Sequence, residues 1–345
     1  METIPVEIIS QIIQYITCSN LLIMELKFVS KYFEKIIKMI PIPHLLVCYD
    51  FRDLKLYPFN NLRFKSMISN KNLKQLLSYN DKFETMIFPK KYRLDSNGLE
   101  LVSKFTCLKN LHIKSGLYGT IYNSNLRHDN NWNLLSGLKL QSLTLNDCPE
   151  SCLHVLSGLR LHLLTLSCTS VSCFEILSSG IITQSLEKLI IKMLLSHDEI
   201  KYLPNFIKLK MLDITFNNRI SSYHIHNPFQ YLSDCKMLEE LYINEYVFLN
   251  HNHLKSFSNC KQLKILGIKD LGNIEDDDDS GWLQLLSNKS IKLIIIEDEK
   301  DAISADCRMK LDSQTTFFIY GHPWGISRSI RMSLSINDRL KYVSS

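Results

Sequence analysis

Two stretches of this chain repeat each other almost residue for residue. The first is Leu135-Ser136-Gly137-Leu138-Lys139-Leu140-Gln141-Ser142-Leu143-Thr144-Leu145, and the second is Leu156-Ser157-Gly158-Leu159-Arg160-Leu161-His162-Leu163-Leu164-Thr165-Leu166. The second stretch begins 21 residues after the first. Internal repeats with a period of about 20 to 50 residues are typical of stacked repeat architectures, so this period decides the class of fold.

The same frame recurs along most of the chain. It consists of an apolar residue, two free positions, a second apolar residue, one free position and a third apolar residue. It starts at Phe83, Leu108, Leu140, Leu161, Leu186, Leu209, Leu238, Leu263 and Ile291, and a weaker copy occupies 315–320. Successive starts are 21 to 32 residues apart. The pattern strongly resembles the leucine-rich repeats, whose period is about 20 to 29 residues and whose frame is a short strand.

Strand geometry predicts which residues of each frame form the core. Alternate side chains of a strand point to opposite faces, so Leu143 and Leu145 point inward. One repeat cannot bury its own apolar face, and stacking of neighbours supplies the core. Between the strands, the spacing of Leu99 and Val102 predicts short helices. We therefore expect an α/β horseshoe over 83–320, with parallel strands on its concave face.

The strand residues that alternate with the core leucines form the predicted ligand face. They mix basic, acidic, amide and apolar side chains, and we expect Ile190, Met211 and Tyr242 to be exposed there, which suits a protein partner. An alternative is that some of the apolar members pack against a loop or the tail. The candidate substrate-binding residues are His112, Lys114, Thr144, Asn146, Thr165, Ile190, Lys192, Asp213, Tyr242, Asn244 and Lys269.

Residues 1–40 have the pattern of three short helices. Thr3 can cap the first helix and Pro5 fits its first turn. Residues 17–20 interrupt the apolar pattern, and Pro41 and Pro43 end the last helix. A module of about 40 residues is near the lower limit for an independent core, so it needs a partner surface.

This order of helices closely resembles the F-box. The resemblance rests on Ile4-Pro5-Val6-Glu7-Ile8, the pair Leu21-Leu22, and Phe28-Val29-Ser30-Lys31 followed by Phe33. It implies binding to the Skp adaptor, and through it to the cullin scaffold, of a Skp/cullin/F-box ubiquitin ligase. The adaptor-binding residues that it implies are Pro5, Ile8, Ile9, Ile12, Leu21, Leu22, Val29 and Phe33. The alternative is that these helices only cap the open end of the repeats.

The sequence thus predicts four segments: an F-box-like module at 1–40, a linker and N-terminal cap at 41–82, the repeats at 83–320, and a C-terminal cap and tail at 321–345. The predicted function is the substrate-recognition subunit of the ligase, which recruits a protein through its repeats and has no catalytic residues of its own. The alternative is a leucine-rich-repeat interaction scaffold without a ligase.

Composition excludes some other classes. The 345 residues carry a formal charge of +5 without a basic block, which argues against nucleic acid as the partner. No secretory signal or membrane span is apparent, so we expect an intracellular protein, cytoplasmic or nuclear, in the host cell if viral. The ten cysteines are scattered singly, which favours reduced, buried thiols over disulfides.

Other candidate sites are weaker. His224, His226, His251 and His253 form two His-x-His pairs, but no nearby cysteine or carboxylate completes a metal site, so we interpret them as parts of solvated loops. Asp276–Asp279 lack the calcium-loop frame and predict an acidic loop. The glycine patterns of hydrolases and nucleotide-binding enzymes are missing. We therefore expect neither a metal nor a cofactor.

Overall fold

The computed structural model of the protein describes residues 45–47, 61–64, 68–89, 95–113, 130–168, 172–195, 197–216, 227–244, 251–268, 280–297 and 316–320. The chain forms two compact units, an N-terminal unit (Met1–Ser167) and a C-terminal unit (Cys168–Ser345). The predicted F-box-like module at 1–40 lies outside the described residues.

In the N-terminal unit, the strands follow one another in chain order. They are β1 (Leu45–Val47), β2 (Asn61–Phe64), β3 (Thr85–Phe88), β4 (Asn110–Ile113), β5 (Ser142–Cys148) and β6 (Leu163–Cys168). The paired strands from β1 to β5 are parallel, and Met86 lies opposite Leu111, which lies opposite Leu143. Equivalent frame positions of successive repeats are therefore neighbours.

The ladder begins before Phe83, the first frame assigned from the sequence. Strands β1 and β2 lie within 41–82, the segment assigned to the linker and cap. Leu62 pairs with the core residue Met86 and is buried, and the ring of Phe64 lies 5.0 Å from that of Phe88. Residues 61–64 thus continue the same core. Phe59, Leu62 and Phe64 have the spacing of the frame, so this strand was visible in the sequence but was missed.

The C-terminal unit has the same construction. Its strands are β7 (Lys188–Leu195), β8 (Met211–Phe216), β9 (Glu240–Asn244), β10 (Ile265–Ile268), β11 (Leu293–Glu297) and β12 (Thr316–Tyr320). They pair in parallel and in chain order. The weak copy at 315–320 is a strand, as expected. One irregularity is a register shift in β7 between Ile191 and Leu194, so that Leu194 lies beside Thr215.

Short helices connect the strands. The α-helices are α1 (Asn70–Leu76), α2 (Ser96–Ser103), α3 (Glu150–Ser157), α4 (Cys173–Ser178), α5 (His251–Ser258) and α6 (Ser280–Leu285). Leu99 and Val102 are buried on α2, which confirms the helix predicted there. Other connections are 3-10 helices, at Leu77–Tyr79, Asn130–Gly137, Ile181–Gln184, His197–Asn205 and Pro228–Asp234.

The frame leucines form the core. In all nine full frames the three apolar residues are at most 7% exposed. Aromatic rings join successive repeats, with centroids 6.4 Å apart for Phe174 and Phe206 and 4.8 Å apart for Phe229 and Phe257. Because each core residue contacts its counterparts in the adjacent repeats, the core of each unit is a continuous stack.

A recurring contact fixes the register at the residue just before each strand, here called the lead-in position. The backbone N–H groups of Lys109 and Asn110 both donate to the carbonyl oxygen of Glu84, at 2.8 and 2.9 Å. The same double contact recurs at Lys210 and Glu239. It anchors each new strand to the preceding one.

Lead-in side chains form ion pairs between repeats. Nζ–Oε distances are 2.8 Å for Lys109–Glu84, 2.9 Å for Lys210–Glu187 and 2.9 Å for Lys264–Glu239. The pairs are half-exposed, so each stabilises the fold only weakly. Since a shifted register would separate them, they favour the observed pairing. This pattern was missed in the sequence, where it is visible only after the frames are aligned.

Polar side chains join neighbouring repeats on the helix side as well. Asn227 Nδ2 donates to the carbonyl oxygen of Asn252 and to Ser256 Oγ, at 2.8 and 2.7 Å. Asn288 Nδ2 donates to the carbonyl oxygen of Cys260 at 2.9 Å. Each contact links one repeat to the next, so the repeats stabilise one another through polar as well as apolar groups.

Glu199 caps a helix of the preceding repeat. The N-cap residue of α4, Ser172, makes no side-chain capping bond. Instead, Glu199 Oε2 accepts hydrogen bonds from the backbone N–H groups of Phe174 and Glu175, at 2.6 and 3.4 Å. The carboxylate is 5% exposed, and burial raises its pKa above the ordinary value of 4.5, although the two backbone donors oppose the shift.

We expect Glu199→Ala to lower the free energy of unfolding by about 1 to 2 kcal/mol, because two helix N–H groups lose their acceptor. The raised pKa means that the folded state binds more protons than the unfolded state above pH 4.5. Stability should therefore decline as pH rises through the raised pKa, and this decline should be absent from Glu199→Gln, which keeps an acceptor oxygen. Urea unfolding from pH 4 to 8 measures both effects, and a parallel pH dependence in the Gln variant would contradict this account.

Candidate interaction surface

The strand residues that alternate with the core form a second face of each sheet, here called the outer face. Parallel register arranges them in rows that run from strand to strand. In the N-terminal unit Thr85, Asn110 and Ser142 form one row, and Ile87, His112 and Thr144 form the next. The backbone thus holds side chains about 4.8 Å apart, which gives a rigid surface.

The outer face of the N-terminal unit is mainly polar. Asn110 Nδ2 donates to Thr85 Oγ1 at 3.0 Å, and His112 Nδ1 shares a hydrogen bond with Thr144 Oγ1 at 2.9 Å. Ser142 lies between these pairs with its Oγ buried and without a hydrogen-bond partner in the described part of the chain. The predicted residues His112, Thr144 and Asn146 are half-buried here, whereas Thr165 is buried.

In the C-terminal unit, the outer face is charged at its start. Lys188 and Lys192 on β7 are exposed, and Ile190 between them is half-buried. Lys192 falls within the register shift, so it is displaced from the regular rows that the sequence predicted. On the following strands, Asn244 Nδ2 donates a hydrogen bond to Asp213 Oδ1. This bond joins two predicted ligand-face residues across β8 and β9.

Further along this unit, the outer face carries an apolar cluster, here called the apolar patch. Its members are Met211, Tyr242, Ile265 and Leu293, with Ile295 half-buried against them. Met211 is 1% and Tyr242 is 4% exposed. The prediction that these two side chains are exposed was therefore wrong, and of the three apolar residues expected on the surface only Ile190 is partly accessible in the described structure.

Gly267 explains the position of Tyr242. The two residues are ladder neighbours, and a Cβ atom at position 267 would lie 2.5 Å from Tyr242 Cδ1 and 3.1 Å from Cε1. The ring thus lies flat over the glycine, where any other residue would collide with it. The Tyr242 hydroxyl donates to Glu240 Oε2 at 3.2 Å.

Several predicted site residues lie outside the described residues. They are the ligand-face residues Lys114 and Lys269, the adaptor-binding residues Pro5, Ile8, Ile9, Ile12, Leu21, Leu22, Val29 and Phe33, the pair His224 and His226, and the acidic stretch Asp276–Asp279.

The second histidine pair lies on a helix, which corrects the prediction of a solvated loop. His251 and His253 belong to the first turn of α5, and the His253 ring packs edge-on against Phe229 at 5.3 Å. Side chains two positions apart on a helix diverge, so the pair cannot share a metal. Among the described residues, no group of three or more His, Cys, Asp or Glu residues is placed to hold a metal.

Two of the described cysteines, Cys235 and Cys260, are unsuited to nucleophilic chemistry. Cys235 and Cys260 are buried at equivalent positions before β9 and β10, as expected of core residues. Burial raises the pKa of each thiol to about 12, so the reactive thiolate is essentially absent at neutral pH. Cys148, Cys152 and Cys173 are also buried, whereas Cys107 is exposed.

No helix in the described ranges is long and apolar enough to cross a membrane.

Comparison with known proteins finds only distant structural similarity. No protein-family model and no curated protein matches the chain. A chain in the crystal structure of the Rad7 and Elc1 complex in yeast is similar over 84% of this chain and 77% of its own length, with 13% identity and a TM-score of 0.49. A crystal structure of an internalin (inlF) from Listeria monocytogenes str. 4b F2365 is similar over 88% and 86%, with 14% identity and a TM-score of 0.41.

The protein's own geometry defines the fold class. Successive frames pair in parallel and in register, their apolar residues are buried, and short helices connect the strands. These features constitute an α/β fold of the leucine-rich-repeat kind.

We expect Gly267→Ala to destabilise the protein by about 1 to 3 kcal/mol, because the Tyr242 ring must move to accommodate the new methyl group. In a Tyr242→Ala background the same substitution should cost little. Gly137→Ala is the matched control, since a Cβ atom there meets nothing within 4 Å. Urea unfolding of the four variants gives the coupling energy. Two results would contradict the proposed contact. One is an equal loss of unfolding free energy for Gly267→Ala and Gly137→Ala, and the other is an undiminished loss for Gly267→Ala in the Tyr242→Ala background.

Proposed function

We propose that this protein is the substrate-recognition subunit of a Skp/cullin/F-box type ubiquitin ligase. In this proposal residues 1–40 bind the Skp adaptor, which connects them to the cullin scaffold. The outer face of the strand ladder binds the protein that is to be ubiquitinated. The residues of the outer face do not specify which protein this substrate is.

The observation that supports substrate binding is the mixed chemistry of the outer face. It includes the cation Lys188, the partly accessible Ile190, the hydrogen-bonded pair Asp213 and Asn244, and the imidazole of His112. Charged, amide and apolar groups at fixed positions on a rigid backbone suit recognition of a folded protein surface. A small-molecule site would instead require a concave pocket with a few converging polar groups.

The ligase half of the proposal rests on the resemblance of residues 3–40 to the F-box. A subunit of this kind needs no catalytic group, because its contribution is proximity. It holds the substrate beside an enzyme of the complex and so makes the transfer effectively intramolecular. Buried thiols such as Cys235 and Cys260, whose pKa is about 12, agree with a binding role.

Co-purification of the full chain with a Skp adaptor tests this proposal. We expect the native chain to bind and the variant Pro5→Ala, Ile8→Asp, Leu22→Asp to lose binding, since charges would replace apolar contact residues. A matched control carries Gln11→Asp and Gln14→Asp in the same segment and should bind like the native chain. Circular dichroism must show that all three chains are folded.

The other outcome has a definite meaning. Failure of the folded native chain to bind any Skp adaptor would contradict the ligase assignment and favour an interaction scaffold in which residues 1–40 only cap the repeats. That alternative also predicts that removal of residues 1–40 lowers the unfolding midpoint of the repeats. The ligase proposal predicts that the midpoint changes little.

A further inference from the structure

Four repeats of the C-terminal unit enter their strands through the same tight turn, here called an entry turn. The entry turns are 206–209, 235–238, 260–263 and 288–291. Each is closed by a hydrogen bond of 3.0 or 3.1 Å from the N–H group of its fourth residue to the carbonyl oxygen of its first. A lead-in position with its double hydrogen bond to the preceding repeat follows each turn directly. Successive entry turns therefore lie side by side, with the strand spacing of about 4.8 Å.

Each entry turn exposes a lysine at one of its two central positions. These lysines are Lys208, Lys236, Lys261 and Lys289. They lie 25 or 28 residues apart in the chain, so the sequence shows no basic block. The parallel register from β8 to β11 brings them into one row. The central residues of the four entry turns thus form a cationic strip, here called the basic edge.

Carboxylates neutralise the basic edge only weakly. The glutamates at the lead-in positions pair with Lys210 and Lys264 instead. Asp234 Oδ1 lies 3.9 Å from Lys236 Nζ, and both side chains are well exposed, so this ion pair is weak. Within the described part of the chain, no ion pair is formed by Lys208, Lys261 or Lys289.

Exposed apolar side chains lie among these lysines. Ile207 is 61% exposed beside Lys208, and Met237 is 44% exposed beside Lys236. They are two of the four large apolar side chains that are exposed in the described residues, and they occupy neighbouring entry turns. The basic edge therefore combines a row of cations with a small apolar contact area. Methionine and other apolar groups at such a surface favour contact with a protein.

We propose that the basic edge binds an acidic, amphipathic segment of a partner protein. Carboxylates of the segment face the lysines, and its apolar side chains contact Ile207 and Met237. A helix fits the spacing, because a helix with one acidic residue per turn repeats it about every 5.4 Å, close to the distance of about 4.8 Å between entry turns. The entry turns precede the strands, so this surface is separate from the outer face. The proposal does not depend on whether residues 1–40 bind an adaptor.

A protein segment fits the basic edge better than a nucleic acid does. Phosphates match the lysines but offer no apolar group to Ile207 and Met237. The central positions of the four entry turns also carry no arginine and no aromatic residue, which are the side chains that commonly stack on bases. The exposed apolar pair therefore distinguishes the two classes of partner.

Fluorescence anisotropy of the full chain with a labelled peptide tests the proposal. The probe is a helical peptide of about 16 residues, long enough to span the four entry turns, with glutamates every third or fourth position and leucines beside them. We expect saturable binding that weakens as salt is added, because exposed charges are screened. The same peptide with glutamine in place of glutamate should bind much more weakly.

Two variants with equal loss of charge locate the binding surface. The first replaces the lysines of the basic edge: Lys208→Gln, Lys236→Gln, Lys261→Gln and Lys289→Gln. The matched control replaces four exposed lysines on helices: Lys71→Gln, Lys74→Gln, Lys201→Gln and Lys255→Gln. The first variant should bind the glutamate peptide about tenfold or more weakly, since four ion pairs are lost, and the control should bind like the native chain. Far-UV circular dichroism confirms that both variants are folded.

Substitution of the apolar pair tests the class of partner. Ile207→Ser combined with Met237→Ser should weaken binding of the glutamate peptide by about threefold or more, because an apolar contact is lost. A labelled oligothymidylate is the comparison probe, and we expect it to bind more weakly than the peptide.

Three results would overturn the proposal. The first is failure of the native chain to bind the glutamate peptide, and the second is equal loss of binding in the two four-lysine variants. The third is tighter binding of the oligothymidylate than of the peptide, which would assign the basic edge to a nucleic acid. None of these measurements involves a Skp adaptor, so their outcome is separate from that of the co-purification.

Discussion

The stacking of frame leucines between successive repeats is the interaction on which the rest of the structure depends. Each frame has only three apolar residues, and they are buried because the equivalent residues of adjacent repeats lie beside them. The double hydrogen bonds and ion pairs at the lead-in positions hold this register. Glu199 and Asn227 add polar links between repeats. Stability is therefore a sum of nearest-neighbour contacts, as in other repeat proteins.

The alternation of side chains along each strand also produces the outer face. One set of alternating side chains packs in the core. The other set lies in rows at fixed spacing, and its amino-acid types can differ from repeat to repeat. The two units use this freedom differently. The outer face of the N-terminal unit is a network of small polar groups, whereas that of the C-terminal unit combines lysines, a hydrogen-bonded Asp213–Asn244 pair and a buried apolar patch. The outer faces of the two units therefore differ in their chemistry.

The sequence predicted the repeats and their core well, because a local pattern of three apolar residues is sufficient to assign both. It predicted the outer face less well, since burial there depends on distant parts of the chain. Met211 and Tyr242 look exposed from their frame positions, and only the ring over Gly267 shows why Tyr242 lies flat. Lys192 was misplaced because a register shift within β7 leaves no local signal. The frame formed by Phe59, Leu62 and Phe64 was overlooked although it has the same spacing as the others, and the helix at His251 and His253 begins within a polar stretch.

The central claim is that alternation along each strand separates a core face from an outer face. Two adjacent residues of β8 test it directly: Ile214 is 0% exposed and Thr215 is a half-buried outer-face residue. The measurement is the free energy of unfolding in urea for Ile214→Asp and Thr215→Asp. We expect the first to lose about 4 kcal/mol or more, or to prevent folding, and the second to lose about 1 kcal/mol or less. Similar losses for both variants, or a larger loss at Thr215, would contradict the assignment of the two faces.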